Sequence, residues 1–228
     1  MGKIATFLNA IDKPLQRNRQ CSPPVARKNH ECISVDIDPR YNPEICEDIL
    51  QLAYSKLPTP DVIWVSPDCS QYARCRTRAR NPRNLVLADS LVAKAKEIIS
   101  YFQKLNPDLI WFIENGDTTM LWGREVAKSL TNYKILDYCQ YGGPGYRKRT
   151  RIAHSENLCW EPRPLCDPMA CTQCVDGRHI LTAQQGPGKK QRERNIHDIC
   201  SLDTLHGLPS ELTDDLLRIC QRHMWELI

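Results

Sequence analysis

With 228 residues the chain is long enough for one domain with a full core, and 41% hydrophobic with 25% charged residues is ordinary for a globular protein. No apolar stretch reaches transmembrane length and no signal peptide is apparent, so neither a membrane partner nor a secreted fate is expected. The twelve cysteines are then expected to be free or metal-bound thiols in a reducing intracellular compartment.

Taken in chain order, the first strong element is the apolar, β-branched run Cys32–Asp38, which ends in acids before Pro39. A second run, Asp61–Val65, ends at Ser66-Pro67, and a third, Asp108–Ile113, ends at Glu114-Asn115-Gly116. Continuous apolar runs closed by turn residues read as strands buried on both faces. Between the last two, Val86, Leu87, Leu91, Ala95, Ile98, Ile99, Phe102 and Leu105 recur at spacings of three and four until Pro107, which predicts a helix. Strand, helix, strand implies a right-handed crossover and parallel pairing. Further strands are predicted over Lys134–Tyr138 and Thr150–His154. The fold class is therefore α/β with an open sheet. In such sheets ligands bind at the carboxyl ends of the strands. Asp36, Cys69 and Glu114 all fall there, Cys69 and Glu114 on neighbouring loops.

The net charge of +4 is mild but unevenly spread. Arg74, Arg76, Arg78, Arg80 and Arg83 crowd one stretch; Arg147, Lys148, Arg149 and Arg151 crowd a second; Lys189, Lys190, Arg192 and Arg194 form a third. Such clusters suit a phosphate-rich partner, with a merely solvated surface as the plainer reading. Cys166, Cys171 and Cys174, followed by His179, contain a Cys-x2-Cys step that fits a zinc knuckle, with Cys159 as a further candidate and free structural thiols as the alternative.

Several segments together resemble the DNA (cytosine-5) methyltransferase family. Ser66-Pro67-Asp68-Cys69-Ser70-Gln71-Tyr72 is similar to its Pro-Cys nucleophile loop, and Glu114-Asn115-Gly116 to its Glu-Asn-Val motif. Tyr141–Ile152 is similar to its Tyr-Gly-x-Pro segment leading into an Arg-x-Arg pair, matched here by Arg149 and Arg151, with Arg147 and Arg149 as the other register. Glu47-Asp48-Ile49 and Leu205–Pro209 resemble its Gly-Asp-Ile loop and late Gly-Phe-Pro motif. The match runs from about residue 25 to 218 with order preserved. Each motif is weak alone; the ordered set is strong.

The resemblance implies an open, mostly parallel sheet of the S-adenosylmethionine-dependent methyltransferase type with a small irregular recognition insert. Residues 1–154 would form the catalytic core, 155–200 the insert and 201–228 a helical return to the core. It further implies methyl transfer from S-adenosyl-L-methionine to C5 of cytosine in flipped-out DNA. Cys69 would be the nucleophile, because a thiolate adding to C6 makes the electron-poor C5 nucleophilic and later departs readily. Glu114 would act as an acid at N3, with Arg149 and Arg151 supporting loop and base. Asp36 would hold the cofactor ribose, Ile37 would lie against adenine, Asp48 and Ile49 would meet the adenine edge, and Pro67 would line the cofactor site. Arg74, Arg76, Arg78, Lys189, Lys190 and Arg192 would face nucleic acid. Compact members of this kind resemble those of viruses and phages, which would place the chain in a host nucleus or cytoplasm, and a monomer is expected. A catalytically impaired DNA-binding relative and an RNA cytosine methyltransferase are the competing readings.

Three departures from the family bear on activity, one being that its closing Gly-Asn motif is not visible in Arg218–Ile228. Asp68 stands where a proline is usual and adds a negative charge that disfavours a Cys69 thiolate. The family's first motif, a strand followed by a Phe-x-Gly-x-Gly turn, is replaced by Pro14–Ser22, and no glycine occurs between Gly2 and Gly116. Codons exist for Pro14–Ser22 whose next reading frame spells Leu-Phe-Ser-Gly-Thr-Gly-Ser-Val, the missing turn in its proper place. We read this as a compensated frameshift, in the gene or in the record of it. Sequencing the gene is expected to find those codons; a nucleotide sequence without Gly-Thr-Gly in the shifted frame would end the idea.

Overall fold

A computed structural model describes residues 3–8, 31–74, 76, 81–142, 145–181 and 207–226. Nine strands and three α-helices are described: β1 (Lys3–Leu8), β2 (Glu31–Asp36), β3 (Ile45–Cys46), β4 (Val62–Ser66), α1 (Cys69–Tyr72), α2 (Leu85–Leu105), β5 (Ile110–Gly116), β6 (Tyr133–Asp137), β7 (Arg149–His154), β8 (Cys174–Val175), β9 (Arg178–His179) and α3 (Ser210–Glu226). Seven strands make one sheet in the order β3-β2-β1-β4-β5-β7-β6, and β8 with β9 forms a separate two-stranded ribbon. Strands β3 through β5 in that order are parallel, while β7 runs antiparallel to both β5 and β6. This is the open, mostly parallel α/β sheet expected. No described helix is long and apolar enough to cross a membrane.

The sequence explains the central strands. Val62, Ile63, Trp64 and Val65 are all buried, because β4 has neighbours on both sides and packing on both faces. On one face, Ile63, Val65 and Ile113 pack against the buried stripe of α2, formed by Ala88, Leu91, Val92, Ala95, Ile98, Ile99 and Phe102. On the other, Trp64, Phe112 and Ile152 pack against Leu212, Leu216 and Cys220 of α3. The α2 stripe differs from the sequence expectation at its ends. Val86 and Leu105 are 81% and 55% exposed, since the apolar spacing runs past the part of the helix that covers the sheet.

Helix α2 is closed at both ends by asparagine. Asn84 Oδ1 accepts the Leu87 amide at 3.0 Å, and the Asn106 amide reaches back to the Phe102 carbonyl at 2.8 Å before Pro107 stops the helix. Helix α3 is fastened by Arg163, whose guanidinium pairs with Glu211 at 2.5 Å and Asp215 at 3.1 Å and lies over the Tyr141 ring.

Parallel β1, β2, β4 and β5 all end on one side of the sheet, with β1 between β2 and β4. The chain leaves β1 at Leu8, between the ends of β2 and β4, where the glycine turn of the resembled family would fall. The stretch Pro14–Ser22 itself lies outside the described residues.

Leu91 is 3% exposed, so Leu91→Ala should lower the unfolding free energy by about 2–5 kcal/mol through the lost packing and the cavity. Val86→Ala should stay within about 0.5 kcal/mol. Urea midpoints at an unchanged slope measure both.

Candidate active site

Strand β4 leads into the loop that carries Cys69. After Ser66, Pro67 is buried, and Asp68 caps the short α1 by accepting the Ser70 amide at 2.8 Å and the Ser70 hydroxyl at 2.6 Å. Cys69 is the first residue of α1. Burial pushes its thiol up from the usual 9.0 to about 11. The positive charge of Lys148 opposes that rise, while the negative charges of Glu114 and Asp68 add to it. The Asp68 effect has the sign expected from the sequence, but burial is the larger cause.

Strand β5 delivers the carboxyl group. Glu114 is 7% exposed. Its Oε1 accepts the Tyr138 hydroxyl at 3.0 Å and lies 3.6 Å from the Lys148 ammonium. That ammonium also sits over the Tyr138 ring, 4.7 Å from its centre. The side chain of Tyr138 is enclosed, and burial drives its phenol well above the ordinary range, so it is a hydrogen-bond donor at any working pH. One residue on, buried Asn115 donates from Nδ2 to the Pro67 carbonyl at 3.0 Å. The nucleophile loop and the Glu114 strand are thus joined directly.

The arginine pair lies on β7. The register sets Arg151 opposite Asn115 and Ile152 opposite Glu114, so Arg149 and Arg151 share the sheet face of Asn115. Arg149 makes a two-pronged pair with fully buried Asp137, at 3.0 and 2.8 Å. Arg151 donates from Nε and Nη2 to Asp117 at 3.0 and 2.8 Å and stacks between Tyr133 and Trp122. Both are braces among side chains of the chain itself.

The phosphate-facing reading of the second basic cluster therefore needs correction. Lys148, Arg149 and Arg151 are held by Glu114, Asp137 and Asp117, because β7 runs between acids at the ends of β5 and β6. Arg147 is exposed. In the first cluster, Arg74 is exposed and donates to the Thr118 carbonyl at 2.9 Å, and Arg76 reaches the Asn81 carbonyl at 3.3 Å. Arg83 is half-buried and donates to the Ala73 carbonyl at 2.7 Å. Arg78, Arg80, Lys189, Lys190, Arg192 and Arg194 lie outside the described residues.

At the end of β2, Asp36 is 1% exposed, with Oδ1 accepting the Asp38 amide at 2.8 Å. The side chain of Ile37 is 45% exposed beside it. Asp48 accepts the Leu50 amide at 2.9 Å, and the Ile49 side chain turns into the core at 1% exposed. Any contact of Ile49 with a ligand edge is thereby left to its backbone. A cleft beside α1 is lined by Pro67, Asp68, Gln71, Tyr72, Arg76 and Leu87 among others. Of the late motif, Leu205 and His206 lie outside the described residues, while buried Pro209 leads into α3, its carbonyl accepting the Thr213 amide.

The sulfur-rich segment gathers differently from its sequence pattern. Cys166, Cys171 and His179 are brought together with Cys139, their donor atoms all within 4.8 Å of one another. Cys174 faces the other ring nitrogen of His179, Nδ1, at 3.4 Å. Cys159 is exposed. Sequence reasoning missed Tyr138, Lys148 as a site residue, Asp137 and Cys139. The signal available was that Asp137 to Cys139 stands at the carboxyl end of a predicted strand.

No family model matches the chain. It is 28% identical over 215 residues to the "Probable DNA (cytosine-5)-methyltransferase" of Frog virus 3 (isolate Goorha), with 85% of this chain and 91% of that protein covered. The chain is thus similar, over most of its length, to a probable viral DNA (cytosine-5)-methyltransferase. A solved structure titled as a "putative DNA modification methyltransferase" encoded within an E. coli prophage aligns at 16% identity and a TM-score of 0.40. The alignment covers 82% of this chain and 58% of that one, and it is too loose to carry an argument. Similarity to the Frog virus 3 methyltransferase agrees with the compact, virus-like methyltransferase that the ordered motifs resemble.

The charges around Cys69 make a prediction with a definite sign. At a fixed, mildly alkaline pH, Lys148→Met should slow iodoacetamide labelling of Cys69, since it removes the cation that favours the thiolate. Glu114→Gln should speed it, each effect being on the order of tenfold or less. Labelling followed peptide by peptide in a mass spectrometer reads both, and equal rates in all three proteins would show that these charges do not reach the sulfur.

Proposed function

We propose that this chain methylates C5 of cytosine in DNA through a transient bond between Cys69 and C6 of the base. The observation that carries the reading is the arrangement of two adjacent parallel strands, which bring Cys69 and Glu114 to one edge of the sheet with Asn115 fastened across to Pro67. The name of the Frog virus 3 relative points the same way.

S-adenosyl-L-methionine fits the acids at this edge. Asp36 is a buried carboxylate at the end of β2, suited to a pair of ribose hydroxyls, with the exposed Ile37 side chain beside it for an adenine ring. Asp48, the Ile49 backbone and Pro67 complete the proposed cradle. The bound cofactor supplies the methyl group and a positively charged sulfur leaving group.

The remaining work falls to the chain's own residues. Glu114, oriented by the Tyr138 hydroxyl, presents a carboxylic acid to N3 of the flipped base and takes up the charge that builds in the ring. Lys148 offsets negative charge on Glu114 or Cys69. Cys69 then adds to C6, C5 receives the methyl group, a base removes the C5 proton, and the C6–S bond breaks with return of the electron pair to sulfur. Arg149 and Arg151 hold β7 in register through Asp137 and Asp117, which makes them positioning residues in this scheme. Exposed Arg74 suits phosphate contact beside the loop.

One sequence feature favours a second reading. A chain with no glycine turn after β1 would cradle the cofactor poorly and could bind DNA without turning it over. Incubation with S-adenosylmethionine and 5-fluorocytosine duplex DNA separates the two. The active reading predicts a covalent adduct stable to denaturing electrophoresis and absent in Cys69→Ser. Duplex binding with no adduct would identify the impaired relative, and an adduct with fluorinated tRNA in preference to duplex would move the substrate to RNA.

A further inference from the structure

We propose that Cys139, Cys166, Cys171 and His179 form a structural zinc site that clamps the segment after β7 onto the sheet edge carrying Glu114. The donor set is three sulfurs and one imidazole, the chemistry of closed tetrahedral zinc sites. With Zn–S near 2.3 Å and Zn–N near 2.0 Å, a tetrahedron has S–N edges of about 3.5 Å and S–S edges of about 3.8 Å. His179 Nε2 stands 3.6 Å from both the Cys166 and Cys171 sulfurs, so those two edges already have coordinated lengths. The widest separation in the group, 4.8 Å, must close by about 1 Å to meet the same tetrahedron.

Two neighbours are placed to orient the ligand atoms. Cys174 Sγ lies 3.4 Å from His179 Nδ1, and the tautomer protonated at Nδ1 would give Cys174 that N–H and leave the Nε2 lone pair directed at Cys166 and Cys171. The Gln140 amide stands 3.8 Å from the Cys139 sulfur and 3.9 Å from that of Cys171, an orientation suited to thiolates. Cys174 therefore acts as an outer partner although it belongs to the Cys-x2-Cys step. Cys139 is a ligand although it lies far from that step in the chain.

From Leu165 onward the segment buries little apolar surface. Leu165, Met169, Val175 and Ile180 are 47%, 84%, 59% and 40% exposed, and the β8–β9 ribbon has two residues per strand. A stretch with so little buried apolar surface needs another source of order, and a metal supplies it. The clamp has a direct line to the active site. Cys139 follows Tyr138, which hydrogen-bonds Glu114, and Asp137 accepts the Cys166 amide at 3.0 Å while holding Arg149. Metal binding would fix Tyr138 from both sides along the chain.

The full chain, purified under reducing conditions without added metal, should carry one equivalent of zinc by plasma mass spectrometry. Cys174→Ser should retain it and Cys139→Ser should lose it. Absence of zinc, or a disulfide among these cysteines in its place, would overturn the proposal. Retention in Cys139→Ser with loss in Cys174→Ser would overturn the ligand assignment in favour of the sequence-adjacent set. Cobalt exchanged into the wild-type chain gives a check independent of variant folding: tetrahedral visible bands with the sulfur charge-transfer intensity of three thiolates are expected. A six-coordinate spectrum, or one with fewer sulfurs, would refute it.

Discussion

The site depends on one buried hydrogen bond, from the Asn115 side chain to the Pro67 carbonyl. Parallel pairing of β4 with β5 fixes the two strands only as far as Val65 and Ile113. Beyond those residues β4 continues on β1 as far as Ser66 and β5 on β7 as far as Gly116, so the ladder no longer sets one against the other. The Asn115 amide joins them by satisfying a carbonyl inside the nucleophile loop, in a place shielded from water where leaving it unmade would cost about 1–3 kcal/mol. The distance between the sulfur and the carboxyl group is therefore inherited from the sheet.

Around that tie the electrostatics are deliberately unbalanced. A buried sulfur, a buried carboxyl group and Asp68 all disfavour further negative charge, and one ammonium, that of Lys148, is set against them. Tyr138 is a donor that burial keeps protonated, so it steers Glu114 without adding charge. The second arginine layer on β7 is kept apart by its own acids, Asp137 and Asp117, and does not compete for Glu114. Strand β7 is antiparallel between β5 and β6, and this lets Lys148, Arg149 and Arg151 reach back toward the ends of both neighbours.

Much of this frame was legible in the sequence, for reasons that can be named. The apolar runs at Val62–Val65 and Ile110–Ile113 announce strands because nothing polar interrupts them, and Glu114 and Cys69 stand out as the chemistry that ends them. The α2 stripe is legible over its middle and misleading at Val86 and Leu105, where periodicity continues after coverage stops. Lys148 looks like surface charge because its partner, Glu114, is distant in the chain and only the β5–β7 pairing brings the two near. Cys139 is hidden for the same reason. Its neighbours in the cluster come from beyond β7, and spacing rules that search for a second nearby cysteine select Cys174 instead.

The high proton affinity of Cys69 has a consequence for durability. Peroxide and stray electrophiles attack thiolates far faster than thiols. A sulfur held near 11 rests as the less reactive thiol at neutral pH. The burial that raises the Cys69 thiol thus also shields it from over-oxidation.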